Sequence, residues 1–441
     1  MNHSFNFSQH PTRILIINLH SLRNAGDAAL AQVAIQQLVD NFPGSCVTLS
    51  MNEPESHLGE ESKVGSFLYW MHTPSDAGGM QWRYVAMFQL LLSSLWAVIT
   101  YRLFSRPCFF GLTQDQKKSL QVYFEADLVA SAPGNFMYSS GRAGLTFLIV
   151  AYTMAYAMLA GKPLYLFPQS IGPLRRVQDQ KLVKWILNRA RLVMVRELVS
   201  LKEIQKVGVI NSHCRLVPDL AFTFQGKLVE ETKAWLQTFG VDIEQDQPLL
   251  GFTVINWGAQ TAQSEIQKRY EDALFTAANY FLETMKGKVI FFPQVCSSTL
   301  ANDDRIPTRR VVERIREKGG QVVFIEQLTT PELLKTAYGL MDVFIGTRMH
   351  SNIFALSGGV PVVAIAYRYK TQGIMQMMGL ENWVIDIEQI TGEALVAKLT
   401  SLWQERHIIR QHIQARVADL AQEAEQAGAY IASDFASLSR H

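Results

Sequence analysis

The segment GTRMHS at 346–351 concentrates more reactive chemistry than any other part of the chain. Gly346 permits tight backbone geometry, and Thr347 is a candidate helix cap. Arg348 offers a planar fork that meets a carboxylate or phosphate through two parallel bonds. His350 falls in the first turn of the helix that follows, where N–H groups without intrahelical partners favour an anion. The competing explanation is an Arg348 paired with a structural acid and a His350 that is a satisfied polar group. The segment YRYKTQG at 367–373 brings Lys370 to the end of the next strand, so the two strand tips could meet over one pocket. Arg196 follows the apolar run at 192–195. It is read either as a further anion-binding arginine or as half of a surface pair with Glu197.

A second group of residues fits an acceptor. The loop RNAGDAAL at 23–30 follows the first strand and carries Asn24, Gly26 and Asp27. Asp27 either caps the following helix or takes a proton from a sugar hydroxyl. PQSIGP at 168–173 and FPQ at 292–294 are read as matching strand-exit turns, in which Gln169 and Gln294 present amides to a cleft. Asp303 and Asp304 are read as loop punctuation, the commoner case. No Gly-x-Gly-x-x-Gly fingerprint or Walker A sequence is present, so the NAD and P-loop readings lose. The 4 cysteines lie far apart without metal-ligand spacing. No metal and no cofactor is therefore expected, and a reducing cytoplasm fits best. The polar N-terminus has no apolar core and is not read as a secretory signal.

These loops need strands and helices to hold them. Short β-branched runs alternate with helical stretches from residue 14 to residue 217, and the alternation restarts at 249. That pattern predicts an α/β protein with two parallel sheets and right-handed crossovers. The expectation is two Rossmann-like domains facing a cleft, at 1–225 and 226–390, followed by C-terminal helices at 391–441. Helices are expected at 392–406 and 408–427. Residues 53–115 are read as an insertion, irregular over 53–82. The 441 residues are long enough for two cores. With 41 basic and 39 acidic residues, net charge is +2 and gives no case for nucleic-acid binding.

Two apolar stretches interrupt the alternation. Residues 143–160 are followed by Gly161-Lys162-Pro163 and LYLF, which predicts a core helix packed on a sheet. Residues 84–101 carry no charge and are flanked by Arg83, Arg102 and Arg106. Gln89, Ser93 and Thr100 fall on one helical stripe. The segment is read as a buried or subunit-contact helix, as one lying in a membrane interface, or as a span. A homo-oligomer and peripheral contact with the inner membrane face are thus both open.

Taken in order, Asn24-x-Gly26-Asp27, DLVASAPGN, FPQSIGP, Val195-Arg196-Glu197-x-x-Ser200, VPDLAF, FFPQV with Asp303-Asp304, and GTRMHSNIFALSGGVPVVAIAYRYK resemble the polysaccharide pyruvyl transferase family. The resemblance runs from about residue 14 to 370. Ser131-Ala132-Pro133-Gly134-Asn135 departs from a glycine run common in the family, and the insertion at 53–115 is unusually long. The resemblance implies a GT-B-like fold, phosphoenolpyruvate as donor and a glycan diol, free or lipid-linked, as acceptor. The product would be a cyclic pyruvate ketal in exopolysaccharide or cell-surface polysaccharide synthesis, with phosphate released. It places Arg348, His350, Lys370 and Arg196 around the donor. On this reading His350 is the acid, and Asp27, from the opposite domain, is the base. The alternatives are a GT-B glycosyltransferase using a nucleotide sugar and an inactive scaffold.

Overall fold

A computed structural model describes residues 10–57, 59–72, 80–139, 144–245, 247–257, 264–296 and 303–438, with the side chains of 80–84 excepted. The chain divides into two compact units. Unit 1 comprises Met1–Leu22, Leu30–Leu220 and Glu425–His441, and unit 2 comprises Arg23–Ala29 and Ala221–Ala424. Neither unit is one continuous stretch of chain.

Unit 1 is built on an 8-stranded sheet. Its elements begin β1 (Arg13–Leu19), α1 (Ala25–Asn41), β2 (Cys46–Met51), β3 (Ser62–Gly65) and α2 (Phe67–His72). They continue through α3 (Met80–Phe104), α4 (Gln114–Glu125), β4 (Leu128–Ser131), β5 (Gly134–Ser139) and α5 (Leu145–Leu159). The last are β6 (Leu164–Leu174), α6 (Val177–Leu187), β7 (Leu192–Val195), α7 (Leu198–Lys206) and β8 (Cys214–Leu216). Strand order is β3-β2-β1-β4-β6-β7-β8, with β5 beside β6. All pairings are parallel. Helices cover both faces of such a sheet, so its strands read as apolar runs: Ile14, Leu15, Ile16 and Ile17 are all buried.

Three expectations are corrected here. The stretch 53–82 is not wholly irregular, because β3 pairs with β2 from Thr48↔Ser62 to Met51↔Gly65. PQSIGP is not a turn. It continues β6, held by β5 through Gly134↔Gln169, Met137↔Ile171 and Ser139↔Leu174. The prolines fall where the register shifts, which is where a strand tolerates them. Gln169 is consequently buried, and its amide donates to Ser131 Oγ at 2.8 Å and to the Ala132 carbonyl at 2.9 Å. It does not present that amide to a cleft.

Beyond residue 221, unit 2 begins with α8 (Val229–Gln237), ahead of residue 249 where the alternation was expected to restart. There follow β9 (Leu249–Thr253), α9 (Ser264–Glu283), β10 (Lys288–Phe291), α10 (Arg305–Glu317), β11 (Val322–Phe324) and α11 (Pro331–Gly339). Then come β12 (Val343–Gly346), α12 (Met349–Ser357), β13 (Val362–Ala366), α13 (Tyr369–Met377) and β14 (Val384–Asp386). The 6-stranded sheet has the order β11-β10-β9-β12-β13-β14. That is the doubly wound order, and its direction reverses between β9 and β12, where ligands of open α/β sheets bind.

The expected pair of tail helices is one helix, α14 (Gly392–Ala424). Its sequence holds no Pro and no internal Gly to interrupt the backbone ladder. The final helix, α15 (Ala427–Leu438), belongs to unit 1. Its Asp434 accepts from Tyr165 Oη at 2.8 Å and takes both Nε and Nη2 of Arg191, at 3.0 and 2.9 Å.

Candidate active site

The carboxyl ends of β9, β12 and β13 converge in unit 2. β12 ends on Gly346, where a side chain is excluded: a Cβ would lie 1.8 Å from Asn352 Oδ1. Thr347 is not the helix cap. Its hydroxyl meets Tyr270 Oη at 2.7 Å, and its N–H donates to Thr253 Oγ1 at 3.2 Å. The N-cap position of α12 falls on Arg348, whose carbonyl accepts from Ser351 Oγ at 2.6 Å. This lattice of hydroxyls ties the start of α12 to β9.

Arg348 does have an acid partner. Its Nε and Nη2 donate to the two carboxylate oxygens of Asp304 at 3.1 and 2.6 Å. Asp304 is fully buried and also accepts from the Val295 N–H at 2.9 Å. The residue read as punctuation is therefore an anchor. Burial lifts its carboxyl above the ordinary range while Arg348 pulls it back. Burial opposes the Arg348 charge, but Asp304 and Tyr367 outweigh that and keep the guanidinium protonated. The side chain of Arg348 is 15% exposed. A pair of opposite charges has no net charge, so any excess positive charge must come from neighbours.

Those neighbours lie at the end of β13. Residues 369–377 form a helix, not a loop, with Arg368 at its N-cap position and Lys370 in its first turn. Tyr367 precedes them. Its burial raises the phenol, yet Lys370, Arg348 and Arg368 together lower it below its ordinary value. Three cations beside this half-buried phenol favour its charged form. Trp257, just beyond β9, sets its ring 5.3 Å from that of Tyr367. Lys370 was legible from strand spacing. Tyr367, Arg368 and Trp257 were missed, although Tyr367 and Arg368 lie in the same quoted segment. A strand exit with two cations around an aromatic was the available signal.

His350 lies in the first turn of α12 and is buried. Gly26 packs against it. A Cβ on Gly26 would come within 2.1 Å of His350 Nδ1 and 2.5 Å of Cγ. The segment Arg23–Ala29 thus belongs to unit 2, contrary to the expectation that Asp27 faces His350 from the opposite domain. Asn24 pairs with Val295 in an antiparallel bridge, and Ala25 N–H donates to the Gln294 carbonyl at 3.2 Å. Asn24 Oδ1 accepts from the Gly26 N–H at 3.0 Å, and its amide donates to Asp27 Oδ2 at 2.8 Å. Asp27 is half-buried in the first turn of α1. Gln294 is buried, and its Oε1 accepts from Tyr338 Oη at 2.9 Å. It serves the site through its backbone rather than as an open amide.

Arg196 is in unit 1, at the end of β7. It is fully buried, not a surface residue. Its Nη1 donates to Asp219 Oδ2 and its Nε to Ser170 Oγ, both at 2.7 Å, with the Glu197 carboxylate 3.6 Å away. Burial raises the Glu197 carboxyl, and Arg196 counters it. The guanidinium is engaged by protein groups, where an open anion-binding fork was expected.

Solved structures with the same architecture define the class. The Anabaena protein HepE, solved with UDP and glucose, is 13% identical and covers 96% of this chain and 100% of its own, with a TM-score of 0.55. The UDP-GlcNAc 2-epimerase of Methanocaldococcus jannaschii is 10% identical and covers 89% of this chain and 93% of its own, with a TM-score of 0.53. The fold is thus GT-B-like, with two Rossmann-like parallel sheets and C-terminal helices. Within that fold, the polysaccharide pyruvyl transferase family matches residues 24–369, and the chain belongs to that family. The amylovoran biosynthesis protein AmsJ of Erwinia amylovora is 24% identical over 277 residues. That match covers 58% of this chain and 62% of the relative's length.

Proposed function

We propose that this chain transfers the pyruvyl group of phosphoenolpyruvate to two hydroxyls of a glycan, forming a cyclic ketal in polysaccharide biosynthesis. Family membership supports a transferase acting in that setting. The observation that carries the finer reading is the gathering of Arg348, Arg368 and Lys370 around half-buried Tyr367, with Arg368 5.9 Å from its ring, beside a histidine in the first turn of α12. A carboxylate and a phosphate on one small molecule match that field.

The chemistry balances without a further reagent. A proton adds to the methylene carbon of the donor while the first sugar hydroxyl bonds to the adjacent carbon and gives up its proton. Phosphate leaves with the electron pair of its C–O bond. The second hydroxyl closes the ring at the same carbon and releases its own proton. Arg348, Arg368 and Lys370 hold the donor's charge, and His350 is the proton donor. Asp27, kept in place by Asn24, takes the hydroxyl proton. Gly26 leaves room for the His350 ring.

The test is thermal stabilisation followed by turnover. Phosphoenolpyruvate at a hundredfold excess over Kd should stabilise the protein by about 2.7 kcal/mol. Phosphate release should then follow on adding free or lipid-linked glycans. Stabilisation by UDP and not by phosphoenolpyruvate would overturn this reading in favour of a nucleotide-sugar glycosyltransferase.

A further inference from the structure

Helix α3 is built inside out. Its polar residues face the protein: Ser93, Ser94 and Thr100 are buried. Ser94 Oγ meets Tyr152 Oη at 2.6 Å, and Ser93 Oγ accepts from the Phe110 N–H at 3.1 Å. Thr100 Oγ1 accepts from the Cys108 N–H at 2.9 Å. The polar stripe is therefore the face that docks on the protein. The opposite stripe, exposed among the described residues, includes Phe88, Leu92, Leu95, Trp96, Ile99 and Leu103, with Phe88 at 62% and Leu103 at 69%. The spacing of these six is that of one helical face. A helix that meets water on its free side has the reverse arrangement.

The surroundings say what covers that face. Leu145 and Leu148 of α5, the helix that supplies Tyr152, are also exposed. Arg102 donates to the Leu159 carbonyl at the end of α5 at 3.1 Å, and Arg106 is exposed just beyond α3. No Asp or Glu occurs between Asp76 and Asp115, or between Asp127 and Asp179. The outer layer of α3 and α5 is therefore apolar, edged with arginine and free of acid. A second copy docking by the same face would bring apolar groups but no acid for Arg102 and Arg106. A bilayer surface with anionic head groups supplies both.

We propose that α3 docks this protein flat on a membrane bearing anionic lipid, its apolar stripe entering the head-group boundary. Val85–Phe104 is long and apolar enough to cross a membrane, and 33% of its apolar stretch is buried. Crossing would strip Ser93, Ser94 and Thr100 of their partners in hydrocarbon, so the helix lies on the surface and does not span. This inference stands independently of the donor chemistry.

The test is co-sedimentation of the full chain with phosphatidylcholine vesicles, with and without phosphatidylglycerol. Binding is expected with the anionic lipid and should weaken in high salt. The triple change Leu92→Gln, Trp96→Gln and Ile99→Gln should lower the partition coefficient at least about tenfold with the melting temperature unchanged. The single change Leu103→Gln, at a position on the stripe that is 69% exposed, is the second probe should the triple variant misfold. Failure of the intact protein to bind anionic vesicles at low salt would overturn the proposal. So would undiminished binding by folded variants. A dimer that dissociates in the triple variant, without vesicle binding by the intact chain, would assign the face to a second copy.

Discussion

At the scale of single residues, the site rests on an arginine with two duties. Arg348 neutralises buried Asp304 and faces the cluster of Tyr367, Arg368 and Lys370. Arg348→Ala should therefore cost about 3–5 kcal/mol of stability by leaving Asp304 unpaired, as well as activity. His350→Ala separates the two effects. It should remain folded and lose about 2–3 kcal/mol of transition-state stabilisation, read as kcat/KM for phosphoenolpyruvate. Near-wild-type turnover in that variant would remove His350 from the mechanism. Arg348→Lys should also be poor, since a point charge cannot grip both oxygens of Asp304. Gly26→Ala is a sharper probe. Helical backbone accepts alanine, so the penalty falls on the His350 ring that the new methyl would strike. Turnover should fall at least about tenfold with the fold retained. Unchanged imidazole resonances of His350 would contradict this.

At the scale of elements, α11 carries a half-buried lysine that reports on packing. Lys335 donates to the Phe224 carbonyl, and burial pushes its pKa down from 10.5 to about 8. Between those values the unfolded chain holds more protons than the folded one, so stability should rise as pH rises through that window. Lys335→Met removes the effect. The variant should be the more stable protein near neutral pH, and the difference should shrink as pH approaches 10.5. Parallel denaturation curves at all pH values would show that the ammonium is solvated. The elements were mostly legible in the sequence, because hydrophobic periodicity depends on neighbours along the chain. The helix that follows GTRMHS was expected, and so was the apolar run at 192–195. What failed were stretches whose state depends on a distant partner. PQSIGP becomes strand because β5 pairs with it, and 369–377 becomes helix although it reads as a polar loop.

At the scale of the whole molecule, both units are discontinuous. The chain leaves unit 1 at Leu22, returns at Leu30, departs again at Leu220 and comes back at Glu425. Truncation after Ala424 removes Asp434 from Tyr165 and Arg191, and also removes buried Ala427 and Ile431. We expect it to destabilise unit 1 by at least about 3 kcal/mol. The check is a thermal melt in which the unit 1 transition moves while that of unit 2 holds. An unshifted melt would mean that α15 is a passive tail.

The sequence by itself determined the class of fold and the family, and it marked the residues on which the proposed donor site rests. Each depends on residue types at short spacing, such as Arg348, His350 and Lys370 at successive strand ends. Only the tertiary structure decided which charges are taken. Arg196 is engaged by Asp219, and Arg348 by Asp304. It also moved the Asn24–Asp27 loop into the unit that holds His350, and it turned the polar stripe of α3 inward. The physical reason is that a charge or a polar face is satisfied by whatever group lies nearest in space. For these residues that partner lies tens to hundreds of positions away in the chain, or, for the outer face of α3, beyond it.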